Sequence, residues 1–402
     1  MSLLSMRFLF LALVTVLGVS STRGWVRYLI FLAANVYFAS TYLHAAGLIS
    51  TAFFCLAGYT GTRLILARVK WAEYVAPVFM IIAFVYLRGY SFVQALVPTN
   101  WMVRGFVMAG LSFLFFKILH VQIDAASGTL GELRFSRYLT YCSNFTTFLL
   151  GPIQRYQDFS SQWRATGAEV PHTFEAHLDA VNRILRGLVK KFVLAEFLAP
   201  HALQASANID ALSMMAIMRQ SYVFYLYLYC DFSGYCDVMI GIGTLMGIRP
   251  PENFWLPFFS RNVAAYWLRV HRSLTSWLTD YVFNPFYASA IRNRILGRRP
   301  LLALSAALLV TMLVSGLWHG ATSNFVIFGL LHGVYLIVFR GYESVAQAFL
   351  GRTRFLAWSQ HPIVSLAAVI LTFNATSLAY IPFVLDRRQT QELLARLFSL
   401  VT

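Results

Sequence analysis

The chain has 402 residues, of which 58% are hydrophobic and only 12% charged, with a mean hydropathy of +0.63; a water-soluble protein cannot hide that much apolar surface. Lys and Arg number 32 against 16 Asp and Glu, giving a net charge of +16 and a pI near 9.9. In a soluble protein that balance would suit nucleic acid, but the positives sit in short loops between apolar runs, as in Arg63/Arg68/Lys70, Arg183/Arg186/Lys190/Lys191 and Arg292/Arg294/Arg298/Arg299, which excludes one continuous basic face and fits loops kept on the cytoplasmic side of a membrane.

In chain order, apolar runs fall near 8–20, 25–43, 45–62, 75–96, 101–119, 139–151, 187–200, 214–230, 232–248, 301–318, 324–339 and 363–385. They predict an all-α integral membrane protein of about 10 to 12 membrane segments, folded as a single membrane-embedded domain over 1–402. The first run follows Arg7 without a small-residue cleavage site and reads as a span, not a signal peptide. The run at 139–151 ends at Gly151-Pro152, which predicts a re-entrant or kinked segment, because irregular backbone survives at membrane depth only where protein or a cavity surrounds it. Two polar excursions, at 154–180 and 250–300, are too short for a separate soluble domain. A helix over 262–283 would place Arg269, Arg272, Ser276 and Asp280 on one face and Trp267, His271, Leu274 and Leu278 on a largely apolar one, as in a helix lying at the membrane interface with His271 turned towards protein or lipid.

Ionisable groups inside apolar runs are costly, so each is a candidate for function. His319 ends the eighteen-residue run 301–318 that follows Arg298 and Arg299, so an ideal helix carries it ~27 Å from those arginines. A neutral imidazole suits that depth and can accept a proton from a hydroxyl or thiol, which is general-base work; the alternative is a buried histidine bonded to a backbone carbonyl. His332, thirteen residues on, reads as structural. Asp231 and Asp237 lie ~240° apart on a helix and form no carboxylate pair; hydrogen bonds to hydroxyl or backbone groups of neighbouring spans fit them better. Lys117 and His120, near Asp124, read as interfacial side chains that snorkel to water. Cys55, Cys142, Cys230 and Cys236 lack CxxC spacing and histidine neighbours and read as reduced packing residues without a metal. G-x-S-x-G, Walker-A, H-E-x-x-H and dinucleotide-binding patterns are missing from the sequence.

The stretch Asp231-Phe232-Ser233-Gly234-Tyr235-Cys236-Asp237, followed by Ile240-Gly241-Ile242-Gly243, Pro251-Glu252-Asn253-Phe254, Ser260-Arg261-Asn262, Tyr266-Trp267-Leu268-Arg269-Val270-His271, Ser273-Leu274, Trp277-Leu278 and Leu317-Trp318-His319-Gly320, resembles the membrane-bound O-acyltransferase (MBOAT) family. Within it the likeness is to the bacterial branch holding the alginate O-acetylation subunit I and the D-alanyl-lipoteichoic acid transfer protein; Gly151-Pro152-Ile153-Gln154-Arg155-Tyr156 upstream matches that branch too. The resemblance covers 140–340 as a core, with N-terminal helices over 1–139 and divergent C-terminal helices over 341–402, and residues beyond about 345 inherit nothing from it. Val270 departs from the tryptophan usual in the branch, and the C-terminal segment lacks the aromatic-Arg ending.

The resemblance implies a ring of tilted helices around a central tunnel. It implies that His319 is the essential catalytic residue and that His271 is the second family histidine, nearer the cytoplasmic entrance. Trp318, Asn253, Trp267 and Arg269 are then expected at the substrate, and Asp231, Tyr235, Asp237 and Arg155 in the supporting walls. No cofactor is expected to be bound; the donor is an acyl-CoA or acyl-carrier-protein thioester. The partners implied are an extracytoplasmic acyltransferase or acceptor protein, a polysaccharide synthase complex and membrane lipids, at the bacterial inner membrane. Acetyl transfer to a cell-surface or secreted polysaccharide is the leading expectation. D-alanyl transfer from a carrier protein to teichoic acid is the alternative, and non-catalytic lipid or polysaccharide transport is a reading of another class.

Overall fold

A computed structural model describes residues 4–90, 110–165, 173–293 and 296–399. The described residues are helical, without a strand, and group into two compact units interleaved along the chain. Parts of the expected runs at 75–96 and 101–119, part of the excursion at 154–180, and Arg294 of the last basic loop lie outside the described residues.

The first unit comprises 1–189 and 234–252. Its helices are α1 (Met6–Ser21), α2 (Gly24–Tyr42), α3 (Ala45–Leu66), α4 (Ala72–Arg88), α5 (Leu111–Ala126), α6 (Phe135–Ser143), α7 (Phe145–Phe148), α8 (Tyr156–Ala165) and α9 (Phe174–Val189). The helix α4 stops at Gly89, whose φ of 67° lies in the left-handed region that favours glycine. The expected irregularity at 139–151 is found: α6 ends, the short α7 follows, and the Gly151–Pro152 peptide is cis.

Lys117 and His120 correct the sequence reading. Neither snorkels; both are sealed inside the unit, at 1% and 0% exposure, because the broken segment brings them partners. Lys117 Nζ donates to the Tyr141 carbonyl at 2.8 Å and to Thr147 Oγ1 at 2.6 Å. His120 Nδ1 lies 3.1 Å from the Phe116 carbonyl, which only a ring N–H can satisfy, leaving Nε2 to accept from the Tyr156 amide at 3.1 Å. Asp124 accepts from Gln157 at 2.6 Å. These groups tie α5 to irregular backbone that would otherwise carry unmet polar groups.

The second unit comprises 190–233 and 253–402. The expected run at 187–200 is not one straight helix: a π-helical turn at Lys190–Ala195 breaks it into short turns. The two runs at 214–230 and 232–248 prove to be one helix, α10 (Met214–Leu245), whose last residues belong to the first unit. Asp231 does not interrupt it, because Lys191 forms an ion pair with its carboxylate. Beyond it come α11 (Val263–Trp267), α12 (Arg272–Leu278), α13 (Asn284–Arg292), α14 (Pro300–His319), α15 (Ser323–Leu350), α16 (Arg352–Gln360), α17 (Pro362–Ala379), α18 (Ile381–Val384) and α19 (Arg387–Ser399).

Among the described residues, four stretches are long and apolar enough to cross a membrane: 45–66, 300–319, 323–350 and 362–384; α1 is apolar but shorter. Among the described residues, the other apolar helices are shorter, broken or interrupted by polar residues. The four cysteines are unbridged, with Cys55, Cys142 and Cys236 buried.

Asp237 and Arg155, expected in the supporting walls, lie in the first unit with Tyr235, which is fully buried. Asp237 accepts from Arg183 Nε at 3.0 Å, and the same guanidinium reaches Glu252 with Nη1 at 2.6 Å. Both aspartates of the motif therefore join helices through ion pairs with basic residues, where the sequence suggested hydroxyl or backbone partners. The hydrogen bond from Arg183, aided by Arg249, holds the Glu252 carboxyl below its usual value against the opposing effect of burial. A carboxyl with a lowered folded value contributes stability above pH ~4.5 that is lost as pH falls through the folded value. Thermal midpoints of wild type should therefore fall on acidification from pH 5 to pH 3.5, and those of Arg183→Met should start lower and respond less to pH.

Candidate active site

The second unit brings the two motif histidines together. Asn262 caps α11, its Oδ1 accepting from the Ala265 amide at 2.7 Å. The continuous helix expected over 262–283 is instead broken at His271, whose φ of 44° and ψ of 45° lie in the left-handed region. Histidine enters that region more readily than most non-glycine residues. The break is held from outside the segment: Trp255 N donates to the Arg269 carbonyl at 2.8 Å, and Arg272 N to the Asn253 carbonyl at 2.9 Å. Asn253 Oδ1 accepts from Ser273 N at 3.2 Å and from its hydroxyl at 2.8 Å. Residues 253–255 thus supply partners for backbone groups that a straight helix would have satisfied internally.

The sidedness expected for this segment holds despite the break. Trp267, His271, Leu274 and Leu278 are all buried, whereas Ser276 and Asp280 are exposed and Arg269 and Arg272 partly so. The His271 imidazole is 6% exposed and packs edge-on against Phe232 at 5.0 Å and Trp318 at 5.8 Å between ring centres. Burial, reinforced by His319, lowers its pKa to about 3, so this ring is neutral at physiological pH.

His319 ends α14. Its ring centre lies 6.5 Å from that of His271, a separation wider than a direct ring-to-ring hydrogen bond. Trp318 at 4.7 Å, Phe383 at 5.2 Å and Phe328 at 5.6 Å wall it in. The glycine after it has a steric cause: a Cβ at Gly320 would collide with the Phe325 ring, which in turn packs edge-on against Phe383 at 5.0 Å. The small residue thus lets an aromatic wall close behind the histidine.

The remaining candidates divide. Trp318 touches both histidines, and Asn253 holds the turn that carries His271. Trp267 faces His332 at 5.0 Å, and Arg269 stacks over Trp255 at 5.4 Å and is partly exposed. Asp231 adjoins Phe232, which packs on His271, and pairs with Lys191. Phe383 and Tyr380 were missed by sequence reasoning, since nothing beyond about 345 was assigned to the site. No local pattern marks them; only the packing of α17 and α18 against α14 and α15 brings them in.

The geometry is accompanied by sequence relationships. A family model described as MBOAT, membrane-bound O-acyltransferase family, matches residues 32–381, well beyond the 140–340 core read from motifs. The chain is 32% identical over 238 residues to the teichoic acid D-alanyltransferase of Streptococcus thermophilus, covering 57% of this chain and 56% of that protein. It is 34% identical over 238 residues to the probable alginate O-acetylase AlgI of Pseudomonas aeruginosa, covering 58% of this chain and 42% of the relative. It is 30% identical over 250 residues to the peptidoglycan O-acetyltransferase of Helicobacter pylori, covering 62% and 44% respectively. The matches span about half the length of these curated relatives. With the family pattern running from α2 into α18, the chain belongs to the membrane-bound O-acyltransferase family.

Proposed function

We propose that the protein relays an acyl group, acetyl above all, from a thioester donor on the cytoplasmic side of the bacterial inner membrane to a hydroxyl acceptor on the other side, for O-acetylation of a cell-surface or secreted polysaccharide. The observation that carries this reading is the enclosure of His319 and His271 at 6.5 Å by one set of aromatic walls. The chemistry needs one base. As the acceptor oxygen attacks the thioester carbonyl, a neutral His319 ring takes the hydroxyl proton; collapse of the tetrahedral intermediate expels the thiolate, which receives that proton and leaves as free thiol. His271, on the buried side of its turn, orients the carbonyl of the incoming donor, and the aromatic walls exclude water that would hydrolyse it. The donor is an acyl-CoA or acyl-carrier-protein thioester, and an extracytoplasmic acceptor protein hands the group on to the glycan.

D-alanyl transfer is the second reading, favoured by the likeness to teichoic acid D-alanyltransferases. Membranes containing the protein, given labelled acetyl-CoA in one arm and labelled D-alanyl carrier protein in the other, separate the two by which label reaches extracytoplasmic polymer. Acetate label is expected; D-alanine label alone would overturn the acetyl reading. His271→Ala should reduce transfer less than loss of His319 does, and by a factor that changes with the donor. An identical loss for every donor would remove its donor-orienting role.

A further inference from the structure

His332, assigned a structural role by its sequence position, has surroundings that a structural histidine does not explain. Its ring is fully buried, at 0% exposure, and five aromatic rings enclose it. Tyr266 is stacked at 6.0 Å with an interplanar angle of 5°, Trp267 stands edge-on at 5.0 Å, Phe328 lies at 4.6 Å, and Tyr335 and Tyr380 lie at 6.0 and 6.3 Å. Among the described residues neither Nδ1 nor Nε2 has a hydrogen-bond partner, and the same holds for the Trp267 indole nitrogen beside it. A neutral imidazole carries one donor and one acceptor, and the indole adds a second donor. Three polar atoms buried together without partners lose their hydration with nothing in return, and native interiors satisfy such atoms with protein, ordered water or ligand.

The cluster adjoins the reacting histidine. Phe328 presents its ring to His319 at 5.6 Å and to His332 at 4.6 Å. On another side, Phe383 reaches His319 at 5.2 Å and Tyr380 at 5.7 Å, and Tyr380 continues to His332. His332 thus sits one aromatic ring beyond His319. We propose that His332 and Trp267 form a hydroxyl subsite that positions the acceptor for reaction at His319, an inference that rests on the acyl-transfer reading.

The chemistry of the cluster selects the ligand class. A hydroxyl oxygen can accept from the Trp267 N–H while its proton goes to the bare imidazole nitrogen, matching donor to acceptor at both atoms. A carboxylate or phosphate would place a full charge among five aromatic rings, at a prohibitive desolvation cost. The ligand is therefore a neutral alcohol, as polyols and sugars present, and His332 acts as a positioning residue and not as a second base.

The test uses the full-length protein in nanodiscs, with acetyl-CoA as donor and glycerol as the hydroxyl probe. His332→Phe keeps a flat aromatic ring, somewhat larger, and removes both nitrogens; Trp267→Phe removes the indole N–H. Each should raise the KM for glycerol about tenfold, the worth of one hydrogen bond, with kcat and the KM for acetyl-CoA little changed. The double variant should be little worse than the poorer single one. A structural histidine would instead change protein yield or melting temperature and leave the glycerol KM alone, and that result overturns the proposal. Should His332→Phe not accumulate, cryo-EM maps of the wild type with and without glycerol decide: glycerol density with a hydroxyl bonded to both His332 and Trp267 supports the subsite, and a cage that holds no glycerol refutes it. Transfer left unchanged by His319→Ala, with that density in place, would refute the acyl-transfer reading and leave the hydroxyl site standing.

Discussion

His319→Ala should lower acyl transfer by ~10²–10⁴-fold, the range expected for removing a positioned general base, while protein abundance in the membrane stays near that of wild type. The variant removes a ring that is only partly buried at the last turn of α14, so its structural cost is modest, whereas its chemical cost falls on the proton transfer itself. His319→Gln makes the same point with less change in volume: an amide of similar reach can hydrogen-bond the hydroxyl but cannot take its proton, so it should be nearly as inactive as alanine. Label transfer from a thioester donor, normalised to protein by immunoblot, reads both. Activity above a tenth of wild type in either variant would mean that another group is the base.

Gly329→Leu should abolish accumulation of folded protein, or lower its stability by ~3 kcal/mol, at the upper end of overpacking costs. The hairpin of α14 and α15 is built on small residues facing backbone. A Cβ at Gly329 would lie 2.5 Å from the Met312 carbonyl oxygen and 3.2 Å from Leu313 Cα, and one at Gly316 would meet the Phe325 carbonyl. Backbone cannot swing aside as a side chain can, so the helices must separate, and with them Phe328 from His319. Close approach through small residues is how membrane helices associate where lipid is as apolar as leucine. Gly341, on the same helix, meets nothing within 4 Å of an added Cβ, so Gly341→Leu should be neutral in abundance and melting temperature. Equal behaviour of the two variants would contradict the packing described for this hairpin.

The sequence makes some features of the site legible and conceals others for reasons of distance along the chain. The buried side of the 262–283 segment is readable because side-chain periodicity survives a one-residue break. The break itself is not, since it depends on the backbone of Asn253 and Trp255, which meet Arg272 and Arg269 only in the folded unit. Lys117 resembles a snorkelling residue because its partners, Tyr141 and Thr147, lie some 24 to 30 positions later in a segment whose irregularity frees them to bond it. Asp231 suggests a division between two spans because a bare carboxylate would not sit inside one, and the neutralising Lys191 is forty residues upstream. Phe383 and Tyr380 carry no motif at all; an aromatic wall is defined by what it touches. His319, by contrast, stands out early because a histidine closing an apolar run is a local feature.

The most direct measurement of the central claim is transfer in sealed proteoliposomes. Labelled acetyl-CoA is added on the face that carries the basic loops, with polysaccharide and its acceptor protein trapped inside. Wild type should deposit alkali-labile label on the trapped glycan in step with release of free CoA outside, and His319→Ala should do neither above the protein-free rate. Equal labelling by the two proteins would contradict a reaction centred on His319.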